Sequence, residues 1–152
     1  MTVNRILSRI VVVSGVILMT ASAAAADGIT LFATLSGGHE VSPIGDASAG
    51  DPNGWGSATI IIRNSTQLCY AILVTAIAAP SVAHIHEARA GSNGGIVQNL
   101  TAPASGNPGR VTGCLTPDDA DLIRRLRNNP SNFYINVHND DFPNGAVRGQ
   151  LH

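Results

Sequence analysis

The chain has 152 residues, 44% of them hydrophobic and only 12% charged, with a formal charge of −1. It contains no Lys and no broad basic patch, so nucleic-acid binding, which needs clustered Lys and Arg, is excluded. Attachment to a membrane surface through a basic amphipathic helix is excluded on the same ground.

The N-terminus carries Arg5 and Arg9, an apolar run Ile10–Met19 and the small-residue stretch Ala21–Ala26. That order is the n-region, h-region and A-x-A site of a secretory signal peptide. The expected cut falls after Ala26. It leaves 27–152 as the mature chain, secreted or periplasmic, with no membrane anchor after cleavage. The apolar run is shorter than the ~20 residues of a comfortable span, and an uncleaved anchor is the alternative reading.

Ile29–Ser36 reads as the first strand, with Ile29, Leu31, Ala33 and Leu35 on one face. Gly37-Gly38 ends it, and 42–54 is a loop rich in Pro, Gly, Asp and Ser. Trp55 at its end is expected to anchor the core. Trp55–Arg63 and Gln67–Thr75 are the clearest strands, joined by a hairpin turn at Asn64-Ser65-Thr66. Pro80 breaks the chain before a strand containing Val82-Ala83-His84-Ile85-His86. Short strands follow at Ile96–Leu100 and Arg110–Leu115.

One helix is predicted over about 116–128. Thr116 is its N-cap, Pro117 its first residue, and Leu122, Ile123 and Leu126 its apolar stripe. Phe133–His138 and Arg148–Leu151 close the chain as strands. Many short strands, glycine-rich turns and a single short helix give an all-β sandwich or barrel of one domain.

Cys69 and Cys114 are the only cysteines. An even count in an exported chain favours a disulfide; two separate buried thiols are the alternative. No C-x-x-C spacing suggests a catalytic dithiol.

Two strands carry what chemistry the sequence offers. His84 and His86, at i and i+2, share one face of a strand, a spacing from which two imidazoles can converge on one ion. His138, on the last long strand, is the candidate third ligand. His39 is a fourth, with Glu40 able to complete the shell and Asp140 a supporting carboxylate. Neutral imidazoles suit copper or zinc. The alternative is structural: the rings hydrogen-bond to loop carbonyls or to Asp140 and Asp141. The metal reading requires His84 and His86 on one face with His138 beside them. Arg148 is expected to pair with Glu40 or Glu87. Neither Ser105 nor Ser131 lies in a nucleophile-elbow context.

Several stretches together resemble the CHRD (chordin) domain. They are Ala83-His84-Ile85-His86, Asn93-Gly94-Gly95, the run Asn129–His138, Phe142-Pro143, Gly145 and Arg148-Gly149-Gln150-Leu151. Leu35-Ser36-Gly37 with Glu40-Val41 and Pro43 resembles that domain's opening strand and turn. The Cys69 and Cys114 strands are similar to those of members with two cysteines. The resemblance covers nearly all of 27–152 and implies an immunoglobulin-like or Greek-key β-sandwich; His39 departs from the glutamine common there. The expected function is a non-catalytic, extracytoplasmic binding or structural module, with an unknown protein or surface partner or a histidine metal site. The alternative is a copper- or zinc-binding protein with redox activity, similar to superoxide dismutases.

Overall fold

The computed structural model describes residues 28–152; the expected signal peptide lies outside them. The chain forms β1 (Ile29–Ser36), β2 (Trp55–Ile62), β3 (Leu68–Thr75), β4 (Pro80–Glu87), β5 (Gly95–Leu100), β6 (Gly109–Leu115), α1 (Leu122–Asn128), β7 (Phe133–Asn139) and β8 (Val147–Gln150). The strands make one eight-stranded sheet in the order β5-β4-β7-β8-β1-β2-β3-β6. Every strand pair is antiparallel. The sheet curls around one core, so of the expected all-β forms the molecule takes the near-closed barrel.

Alternation in the sequence creates that core. Leu31, Ala33 and Leu35 of β1 face inward with Ala58, Ile60 and Ile62 of β2. From the other part of the sheet come Ala83, Ile85, Phe133, Ile135 and Val137. Leu122, Ile123 and Leu126 of α1 join them. Burying a side chain of this size contributes roughly 1.5–3 kcal/mol, enough for a domain this small to hold a defined core.

Three local expectations are corrected. The helix begins at Leu122, not Thr116. Asp119 takes over the N-terminal turn, because its side chain accepts from the Asp121 amide at 2.8 Å and its carbonyl from the Leu122 amide at 3.1 Å. A side chain bonding its own backbone in this way competes with the first helical turn. Pro80 opens β4 rather than breaking the chain ahead of it, a strand position that needs no ladder donor. Trp55 does not anchor the core. Its neighbours Gly56 and Ala58 take the inward face, which leaves the indole 57% exposed.

Cys69 and Cys114 form a disulfide between directly paired residues of β3 and β6. No helix of the described residues is long and apolar enough to cross a membrane.

Candidate metal centre

Strand alternation decides which side chains meet. Phe133, Ile135 and Val137 of β7 belong to the core, so Tyr134, Asn136 and His138 project from the opposite face. Ala83 and Ile85 of β4 are core residues as well, which turns His84 and His86 outward. In the β4–β7 register Val82 stands opposite His138, His84 opposite Asn136 and His86 opposite Tyr134. Five polar side chains from two strands therefore share one patch.

His84, His86 and His138 offer ligand atoms that all lie within 4.8 Å of one another. The ring centroids are 5.6 Å apart for His84–His86 and 5.0 Å for His84–His138. His84 Nδ1 is 3.3 Å from His138 Nε2. Metal–nitrogen bonds of about 2.0–2.1 Å in a tetrahedron place two ligand nitrogens roughly 3.3–3.4 Å apart, so this pair already has the separation of two ligands on one ion.

Backbone carbonyls orient two of the rings. His86 Nδ1 donates to the Gly94 carbonyl at 2.9 Å, and His138 Nδ1 to the Pro143 carbonyl at 3.0 Å. A carbonyl can only accept, so each bond puts the ring proton on Nδ1 and leaves Nε2 unprotonated; that of His138 accepts from His84 Nδ1, and that of His86 has no such donor. This is the tautomer that metal-bound histidines adopt when a neighbouring carbonyl holds the other nitrogen. His86 Nε2 is buried and has no hydrogen-bond partner. Leaving such an atom unsatisfied costs about 1–3 kcal/mol, and an ion at the centre of the triad would satisfy it.

The electrostatics agree. Burial, with smaller repulsions from His138 and His86, lowers the His84 pKa to about 4. Burial also lowers those of His86 and His138, against the opposing pull of their carbonyl partners. All three rings are therefore neutral near pH 7, the form that binds metal without displacing a proton.

Other predicted site residues lie elsewhere. His39 is not part of the triad; its Nδ1 sits 3.3 Å from the Arg148 carbonyl. It borders a cavity of about 410 Å³ together with Val41, Arg148, Gln150 and His152, and no member of the triad lines that cavity. Asp140 is exposed, and neither it nor Asp141 appears among the hydrogen-bond partners of the histidines. Glu40 is buried at 2% exposure but joins Asn136 rather than a histidine. Arg148 forms no ion pair among the described residues. It donates to Asn93 Oδ1 and to the carbonyls of Arg89 and Ser92, while Glu87 is taken by Arg125.

The sequence reading missed what lies beneath the triad. Tyr134 stacks on His86 with centroids 4.7 Å apart and planes 6° from parallel. The Arg148 guanidinium covers the other part of this column, its Cζ 3.4 Å from the Tyr134 ring centre. The tyrosine hydroxyl accepts from the Gly94 amide at 3.2 Å, fixing the same residue whose carbonyl holds His86. The period-two run Tyr134, Asn136, His138 was the available signal.

Glu40 supplies a pH dependence of its own. Burial raises its pKa to about 8 despite the nearby Arg148 charge. Its Oε1 and the Oδ1 of Asn136 are both buried without a partner, and a protonated Glu40 brings the one donor that could serve them. A folded pKa above the unfolded value means the stabilisation is complete below about pH 4.5 and is lost as pH rises to about 8. Glu40→Gln is expected to abolish this loss. Between pH 6.5 and 8 wild-type stability should fall by ~1–2 kcal/mol relative to the variant, measured by urea unfolding. Parallel curves would show that Glu40 is ionised throughout.

No curated protein and no solved structure matches the chain, whereas a protein-family model does, over residues 31–151.

Proposed function

The chain belongs to the CHRD domain family, the family of the matching model, and from that premise we propose that it is a non-catalytic binding module, exported from the cytoplasm, that holds one copper or zinc ion through His84, His86 and His138. The observation that carries this reading is the orphaned, buried Nε2 of His86 within a triad whose ligand atoms lie inside 4.8 Å. The loop-carbonyl bonds of the structural alternative are present at Nδ1 of His86 and His138, but they leave the buried Nε2 of His86 without a partner. The disulfide is compatible with an oxidising compartment, and the Arg-containing, apolar N-terminus supports export.

A second reading has one observation in its favour. His84 is only half-buried, so a bound ion would keep a coordination position facing solvent. An open position is what redox or hydrolytic chemistry at a metal requires, and metal-dependent redox turnover would favour this alternative.

Titrating the protein with Zn(II) and with Cu(II), beside a His84→Ala/His86→Ala variant, tests the proposal. One ion per chain is expected on the wild type at micromolar affinity or better, and only weak, non-saturating association on the variant. Equal and weak binding by both proteins would remove the metal and leave a protein- or surface-binding module.

A further inference from the structure

Resting on the metal-site reading above, we infer that the triad is built for monovalent copper, Cu(I), in preference to divalent ions. The donor set is three uncharged imidazoles. Among the described residues no carboxylate joins it, and both thiols are consumed by the disulfide. A divalent ion bound there would keep its whole double charge, with no anionic ligand to offset it. Three donors also complete a trigonal Cu(I) site, whereas zinc on three histidines takes a fourth ligand, which here only solvent could supply.

A fixed positive charge lies behind the site. Arg148 is 2% exposed and rests on the Tyr134 ring, which in turn lies flat on His86. Its guanidinium is satisfied by neutral acceptors, Asn93 Oδ1 and two loop carbonyls, so no anion cancels its charge. Glu40, the carboxyl that acts on it, is buried and largely protonated at neutral pH. Every additional positive charge on the ion is therefore opposed by Arg148. At a separation on the order of 10 Å and an effective dielectric of about 20, one extra unit of charge changes affinity about tenfold. This field and the neutral donor set act in the same direction.

The test is a competition measurement made anaerobically. Cu(I) is exchanged with bicinchoninate and Zn(II) with a chromophoric chelator, on the wild type and on Arg148→Gln and Arg148→Lys. The wild type is expected to bind Cu(I) at least a hundredfold more tightly than Zn(II). Arg148→Gln is expected to narrow that ratio about tenfold, and Arg148→Lys, which keeps the charge, to leave it within about threefold. A merely structural role for Arg148 would weaken both ions together and leave the ratio unchanged, which overturns the field argument. The wild-type comparison stands without the variants, should either fail to fold. Zinc bound as tightly as Cu(I) overturns the inference while leaving the metal site intact. Binding of neither ion overturns both.

Discussion

Replacing His86 by alanine is expected to weaken metal binding about a thousandfold, close to 4 kcal/mol, with little loss of stability in the metal-free protein. The two effects separate because of how the ring is held. His86 Nδ1 is fixed by the Gly94 carbonyl, and its Nε2 is already dehydrated and unpartnered before any ion arrives. The fold has therefore met the cost of presenting that lone pair, and an ion gains the full interaction. Truncation to alanine deletes the unsatisfied atom along with the ring. The lost packing on Tyr134 is thus partly offset by relief of about 1–3 kcal/mol. Calorimetric titration gives the affinity, and thermal unfolding with and without metal gives the linkage. At a thousandfold excess of ion over the dissociation constant, the wild type should gain about 4 kcal/mol of stability, and His86→Ala should gain almost none. A variant that unfolds readily yet binds metal as before would identify His86 as a structural residue.

Converting Cys69 and Cys114 together to serine is expected to cost about 4 kcal/mol in the chain-entropy model, for a sequence separation of 45 residues. That is a large share of the 5–15 kcal/mol available to an ordinary domain. It falls on β6, which stands at one end of the sheet order and pairs only with β3. Without the staple, β6 has one neighbour and a half-exposed face, so local opening should begin there. Urea unfolding measures the global loss, and hydrogen exchange of the Gly109–Leu115 amides measures the local one. A loss below about 1 kcal/mol would mean that the unfolded chain is already compact around this loop. Zinc affinity is expected to change little in the folded variant, since neither β3 nor β6 carries a residue of the triad.

The strands were legible because their alternation is strong. In β1 every second residue from Leu31 onward is buried, and the sequence shows the same pattern in its apolar residues. The shared face of His84 and His86 follows from the same period. That His138 joins them depends on the β4–β7 register, a contact across more than fifty positions that no local signal fixes. His39 misled for the complementary reason: it adjoins a candidate carboxylate in sequence, but the turn after β1 carries it to the Arg148 carbonyl instead. The helix start failed because Thr116-Pro117 has good capping chemistry, and only the competition from Asp119 decides against it. Arg148 was expected to seek a carboxylate. It found loop carbonyls and an aromatic face, partners with no distinguishing letter in the sequence.

The pairing of β4 with β7 also sets a timetable. A chain delivered N-terminus first presents His84 and His86 while His138, the Pro143 carbonyl that aligns it, and Arg148 are still to come. Closure needs β7 against β4 and then β8 between β7 and β1, contacts of long sequence separation that form slowly. Until then the two imidazoles lack the third that would stand beside them. On the proposed metal site, ion acquisition would accordingly be a late event in the life of each molecule, reporting on a chain that has finished folding.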